Sequence, residues 1–368
     1  MTELPVVTCL DLPTTSPGGS VELFLDLYTG PQPPIPAQAF MLQATGATAA
    51  PSTGLGLGLL SVDGKCLDGP AFRAYIARLT QALKDAVEPG QVGVLHLQHL
   101  AFGATPALLR AFPGHPRIAL VHGTDLLFAE RHRDQLEVMR ETVRFAHAIV
   151  TPTPAMADRL LRLVPRLDRR KLHHIPWGLP DHLLTTPPPR VRHRPASTLR
   201  LLYAGRLTEE KGAHRLVHAL AQARGVELSV AAPHNDYHAL AALLHRSGLH
   251  ARYLGWLRRP DLWRAFGDHD ALLVPSTTLE AMGLVALEAQ ACGLPVLYQP
   301  VPGLRDALGA SALPTDFTNP VQLVRDLDRL RSSPGLSDTL SREGRANAAR
   351  FPLTATADAL AALGKNLG

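Results

Sequence analysis

Residues Val274–Leu297 read VPSTTLEAMGLVALEAQACGLPVL, and the reading of this stretch decides the fold. The apolar run from Asp270 to Pro275 reads as a strand. Met282-Gly283 is a turn, and Gly283 opens a short apolar helix ahead of a second strand, LPVLYQP. Glu280 and Glu288 stand eight residues apart around that turn. A carboxylate beside such apolar neighbours is costly unless it is paired or hydrogen-bonded. A plain surface helix could also carry two glutamates, so the rest of the chain must decide between the readings.

The same alternation runs through the whole sequence. PVVTCLDL, QAFMLQAT, VGVLHLQH, RIALVHGT and HAIVTPT read as strands in the first half, and LRLLYAGR, VELSVAAP, ARYLGWL, DALLVPS and LPVLYQP in the second. Stretches such as AFRAYIARLTQALKDAV and HRLVHALAQA, between them, carry apolar residues at helical spacing. Continuous apolar strands alternating with helices imply parallel sheets covered on both faces. The proline- and arginine-rich run TTPPPRVRHRP, Thr185 to Pro195, separates the two sets as an extended linker. The expected fold is α/β, with two doubly wound domains facing each other across a cleft: an N-terminal domain over 1–184, a linker over 185–198 and a C-terminal domain over 199–350. Ligands of such folds bind at the carboxyl ends of the strands.

Bulk properties narrow the classes. The 368 residues are 46% hydrophobic and 19% charged, an ordinary globular composition long enough for two cores. Cys9, Cys66 and Cys292 have neither metal nor disulfide spacing, which points to a reducing cytosol. No signal peptide is read at the start, and no apolar run reaches the ~18 residues of a membrane span, so a cytoplasmic location is expected. The net charge of +5 suits an anionic ligand. Aromatic and basic residues do not interleave as in a base-stacking surface, so nucleic acid is not an expected partner.

Four motifs carry chemistry, and each follows a strand. In SPGGSVE, Gly18 and Gly19 precede a helix, where backbone amides can approach an anion; a flexible turn is the plainer reading. In LVHGTDLLF, His122 and Asp125 leave the strand Ile118 to Val121, and a neutral imidazole there can bond a sugar hydroxyl. A structural histidine is the alternative, since the chain has 17. In AGRLTEEKG, Gly205 and Arg206 leave their strand and Lys211 precedes Gly212 and a helix, so two cations can converge on one anion. Only five of the 37 basic residues are lysines, which argues against a merely solvated loop. Fixed cations facing a diphosphate leaving group lower the barrier as its charge develops. In the opening stretch the amides of Gly283, Leu284 and Val285 face a phosphate, while Glu280 and Glu288 reach two polyol portions of one ligand.

Together these motifs resemble the family-4 retaining glycosyltransferases of the GT-B fold, over nearly the whole chain and with the domain order kept. The resemblance rests on the Glu280–Glu288 spacing, the Gly-Arg…Lys-Gly loop AGRLTEEKG, the HGTD loop and SPGGSVE. It implies that Arg206 and Lys211 take the donor diphosphate, Glu288 the ribose and Glu280 the donor sugar, with His122 near the reacting face. Gly19, Asp125, Gly205, Leu257, Gly283, Leu284 and Val285 complete the donor contacts. It implies front-face attack with retention, no dedicated metal or other cofactor, a nucleotide-sugar co-substrate (a UDP-sugar ahead of a GDP-sugar), and a terminal helix over 351–368 that returns to the N-terminal domain. Two departures stand out: SVAAPHNDY replaces a Gly-rich turn near the nucleobase, and VPGLRDAL offers Asp306 where relatives carry a glutamate.

The acceptor is less legible. Small and apolar residues fill TGPQPPIPAQAF and TGATAAPSTGLGLG. Arginine and proline richness points to a high-GC, actinobacterial source, and with the short N-terminal domain to a specialised-metabolite acceptor such as an aminocyclitol or nucleoside. A polysaccharide, thiol-cofactor precursor or lipid acceptor is the alternative, as is a noncatalytic nucleotide-sugar-binding module. A glycoside hydrolase, a nucleotide-sugar 2-epimerase and a dinucleotide dehydrogenase fit the motifs less well. The segment 158–174, with six Lys/Arg and two Asp, could touch an anionic membrane, although Pro165 interrupts it and a solvated face is the simpler reading.

Overall fold

The computed structural model describes residues 5–44, 56–190 and 198–367. Residues 45–55, in the second acceptor loop, and 191–197, in the expected linker, lie outside the described residues. The chain divides into two compact units, Met1–Trp177 with Leu353–Gly368, and Gly178–Pro352.

The first unit is built on seven parallel strands: β1 Val6–Pro13, β2 Ala37–Leu42, β3 Leu57–Leu60, β4 Val94–Leu97, β5 Arg117–Leu120, β6 Ala148–Thr151 and β7 Leu172–His174. Their order is β3-β2-β1-β4-β5-β6-β7, so the winding reverses between β1 and β4. The second unit repeats the plan with β8 Leu199–Ala204, β9 Val226–Ala231, β10 Ala251–Gly255, β11 Ala271–Val274, β12 Val296–Tyr298 and β13 Leu313–Pro314. Its order is β10-β9-β8-β11-β12-β13, with the reversal between β8 and β11. The strands β5, β6 and β11 are buried at every residue, and apart from Arg117 and Thr151 at their ends they are apolar throughout. Three short strands were not expected: β3 inside a glycine-rich loop, β7 at the end of a basic segment, and β13 of two residues. None is long enough to show a period of its own.

The expected linker needs correction. Its described part, 185–190, is fastened to the second unit. Arg190 donates from Nη1 to the Gly293 carbonyl at 2.8 Å and from Nη2 to that of His269 at 3.4 Å. Just before it the helix Asp181–Thr185 packs on the helix Leu284–Ala291, so the division falls after Trp177 rather than at 184. The guanidinium satisfies two carbonyls at once, a tie that composition alone does not reveal. At the other end the helix Leu353–Lys365 belongs to the first unit. It packs on the helix Gly19–Tyr28, and Thr356 Oγ1 donates to the Pro176 carbonyl at 2.8 Å.

Within the basic segment 158–174 several charges have protein partners. Arg159 pairs with Glu130, Arg170 with Asp168 at 2.9 Å, and Lys171 donates to the Arg144 carbonyl at 3.0 Å. Among the described residues no helix is long and apolar enough to cross a membrane.

Candidate functional site

β8 and β11 are neighbours at the switch point of the second sheet, so the loops leaving their carboxyl ends emerge side by side. The first loop turns at Glu209–Lys211 and enters the helix Ala213–Leu220 through Gly212, whose φ of 73° lies in the left-handed region. A Cβ on Gly212 would stand 1.9 Å from the Pro275 carbonyl oxygen, so only glycine lets this loop lie against the end of β11. Thr277 N donates to the Glu210 carbonyl at 2.9 Å and closes the same contact.

That contact brings Lys211 to Glu280. Lys211 Nζ lies 2.5 Å from Glu280 Oε1, and Ser276 Oγ donates to the same oxygen at 2.7 Å. The Glu280 side chain is 13% exposed and that of Lys211 31%. Burial raises the pKa of the Glu280 carboxyl, but Lys211, Ser276 and the charge of Arg206 outweigh it and hold the group below its usual range. Arg206 itself is half-buried and has no ion pair among the described residues. Its backbone is anchored: Tyr203 Oη donates to the Arg206 carbonyl at 2.5 Å, and Asp236 Oδ2 accepts from Leu207 N at 2.9 Å. Asp236 comes from SVAAPHNDY, so the departure in that turn serves to brace the arginine loop.

The glutamate loop is held from its other side. Glu280 N donates to the Pro302 carbonyl at 3.2 Å, and a Cβ on Gly303 would lie 1.7 Å from the Glu280 carbonyl oxygen. Gly283 caps the helix Leu284–Ala291. The amides of Leu284 and Val285, in its first turn, have no acceptor within the helix and are free to meet an anion. Glu288 is buried on this helix, and its Oε1 accepts from Arg259 Nε at 2.9 Å and Nη2 at 2.6 Å. The two carboxylates of the opening stretch therefore have separate cationic partners, Lys211 and Arg259. That is how an apolar turn tolerates both.

Leu257 lines a cavity of about 700 Å³ that runs along β9 and β10 to their amino ends, between Arg200, Ser229 and Arg264. Arg206, Lys211, Glu280 and Glu288 do not line it.

In the first unit, Gly18 caps the helix Gly19–Tyr28 beyond β1. His122 follows β5, its ring stacked on Trp177 with centroids 5.6 Å apart and 4.7 Å from the ring of His99. Burial pushes the His122 pKa down to about 3, so the ring is neutral near pH 7, and its Nε2 is buried without a hydrogen-bond partner among the described residues. Asp125, expected among the donor contacts, is placed differently. It is fully buried, with Oδ2 accepting from Leu100 N at 2.9 Å and Oδ1 from Leu126 N at 3.1 Å. It braces the loop after β4 and does not present a free oxygen to a ligand.

Four contributors escaped the sequence reading. Ser276 and Arg259 hold the glutamates, and His99 flanks His122. Asp11, at the end of β1, is buried and gathers Lys65 Nζ at 3.4 Å, Gly103 N at 3.1 Å and Tyr75 Oη at 3.4 Å. Ser276 and Asp11 could have been found by their strand-end positions; Arg259 and His99 had no local signal.

Two doubly wound parallel domains, the second carrying an Arg/Lys loop against a turn with two cation-paired glutamates, define the GT-B class of fold. Residues 190–347 match the family model "Glycosyl transferases group 1", and residues 49–182 match "Glycosyltransferase Family 4". The chain is 31% identical over 277 residues to a glycogen synthase of Mycobacterium tuberculosis, covering 69% of this chain and 63% of that protein. It is 30% identical over 303 residues to a D-inositol 3-phosphate glycosyltransferase of Streptosporangium roseum, covering 74% of this chain and 69% of that one. Among solved structures, Anabaena HepE in complex with UDP and glucose superposes with a TM-score of 0.78 at 17% identity, over 99% of this chain and 100% of that one. Sucrose-phosphate synthase from Thermosynechococcus elongatus gives 0.81 at 18%, over 99% of both. At such identities the structural likeness is one of fold. The chain belongs to the family-4-type glycosyltransferases.

Proposed function

We propose that the protein is a retaining glycosyltransferase that moves a sugar from a nucleoside-diphosphate sugar, a UDP-sugar ahead of a GDP-sugar, to a small polar acceptor such as an aminocyclitol or nucleoside. The observation that carries this reading is the cluster of Arg206, Lys211, Ser276 and Glu280 at the switch point of the second sheet, in a chain of this family. Arg206 and Lys211 receive the diphosphate, with the amides of Gly283, Leu284 and Val285. Glu288 bonds the ribose and Glu280 a hydroxyl of the donor sugar, sharing Lys211 with the phosphate. Gly205 lets the arginine loop approach. Gly19 and His122, on the first unit, meet the transferred sugar or the acceptor.

The acceptor oxygen bonds to the anomeric carbon on the face the diphosphate leaves. The carbon–oxygen bond to phosphate breaks, and the acceptor proton passes to the departing phosphate oxygen. Charge builds on that oxygen as the bond lengthens, and the two cations oppose it. HepE, which shares the fold, has been crystallised with UDP-glucose, and this supports a uridine donor. A relative named for inositol 3-phosphate supports a small cyclic acceptor. The glycogen synthase relative favours a second reading, a polysaccharide acceptor.

Incubating the purified protein with UDP- and GDP-sugars against inositol phosphate, aminocyclitol, nucleoside and maltooligosaccharide acceptors, read by mass spectrometry and by the anomeric configuration of the product, decides between them. Inverted product refutes retention. A maltooligosaccharide as the sole acceptor replaces the first reading by the second. Binding of UDP-sugars without consumption leaves a noncatalytic module.

A further inference from the structure

Glu288 is held by an arginine that local structure does not explain. Arg259 opens the helix Arg259–Gly267, where the helix dipole favours acids and disfavours cations. Its neighbours behave as surface residues: Arg258 lies 3.7 Å from Asp261, and Arg264 pairs with the same aspartate. Arg259 instead turns inward, its side chain 11% exposed, with the guanidinium 5.6 Å from the Trp263 ring and two nitrogens on Glu288 Oε1. Two guanidinium donors on one carboxylate oxygen fix the place of that oxygen more firmly than a lysine's single point charge.

We infer that Arg259 is a positioning residue for the donor nucleotide: it holds the buried Glu288 carboxylate in place, and so sets how firmly the ribose hydroxyls are held. This rests on the reading of Glu288 as the ribose ligand. Without Arg259 the buried carboxylate loses two charge-assisted donors, and with them its fixed place for the ribose hydroxyls.

The experiment measures affinity for UDP and for 2′-deoxy-UDP, together with KM and kcat for the donor. Wild type should prefer UDP to the deoxy analogue. Arg259→Met should bind UDP roughly tenfold more weakly, lose the preference over the deoxy analogue, raise KM and leave kcat near wild type. Arg259→Lys should restore part of the affinity. Should Arg259→Met fold poorly, the uncharged pair Arg259→Met/Glu288→Gln should fold and bind UDP and the deoxy analogue about equally. Wild-type UDP affinity in Arg259→Met overturns the inference, as does weakened binding that keeps the full preference for UDP. If Glu288→Ala leaves UDP affinity intact, the ribose reading itself fails; if Glu288→Ala weakens it and Arg259→Met does not, only the role of Arg259 fails.

Discussion

Acidification should destabilise the N-terminal unit through its buried histidines. His96 is fully buried, with Nδ1 2.8 Å from Tyr28 Oη, and burial lowers its pKa to about 3; His122 is lowered to about 3 as well. Each is a base whose folded pKa lies below the unfolded value of about 6.5. Its contribution is complete above pH 6.5 and is lost as the pH falls from there toward 3. At pH 5 the unfolded imidazole lies about 1.5 units below its pKa, which costs about 2 kcal/mol per histidine at about 1.4 kcal/mol per unit. His96 and His122 together cost about 4 kcal/mol, and His99, lowered chiefly by burial and then by His122, acts in the same direction. Asp125 opposes them. Burial raises its pKa to about 6, so its contribution is present in acid and lost as the pH rises through 6, returning about 1.4 kcal/mol at pH 5. The net loss is about 3 kcal/mol, a shift of roughly 6–12 °C in Tm for a unit of this size. Thermal unfolding followed by circular dichroism from pH 7.5 to 5 measures it, and His96→Asn should flatten the acid slope by its share. A Tm that stays level or rises between pH 7 and 5 would refute the reasoning.

Further outcomes follow from the site and its supports. Lys211→Ala should lower kcat roughly tenfold to a hundredfold with a smaller effect on donor KM, since it opposes charge that develops on the leaving group; a steady-state comparison checks this. Glu288→Ala should weaken UDP binding by about tenfold, read by calorimetry, with turnover at saturating donor less affected. Gly212→Ala combines a left-handed φ with a contact at 1.9 Å from the Pro275 oxygen and should destabilise the second unit by about 2–4 kcal/mol in a urea melt. Asp125→Ala orphans two buried amides and should cost about 2–4 kcal/mol in the first unit, seen as a lower Tm.

The fold was legible where strands are continuous and apolar. The ten quoted runs fall on strands of the two sheets, because strands inside a covered parallel sheet are largely apolar. β13, with two residues, and β7, in a basic stretch, carry too little pattern to be seen. The loops at the switch points were legible because glycine and charge stand there at fixed offsets from strand ends. Their pairings were not. Lys211 and Glu280 are 69 residues apart, Arg259 and Glu288 29, and Asp125 meets the amide of Leu100 from 25 residues away. Such partners are chosen by the crossing of distant loops, and no local spacing encodes them. Arg190 teaches the same lesson: a proline-arginine run reads as a tether until its guanidinium finds the carbonyls of Gly293 and His269.

The central claim is that the second unit grips a nucleoside-diphosphate sugar by its diphosphate with Arg206 and Lys211. Calorimetric titration of UDP and UDP-glucose into wild type, Arg206→Ala and Lys211→Ala measures this most directly. Saturable binding to wild type that falls at least about tenfold in Arg206→Ala, and measurably but less in Lys211→Ala, is the predicted result. Undiminished binding in both variants would contradict the account.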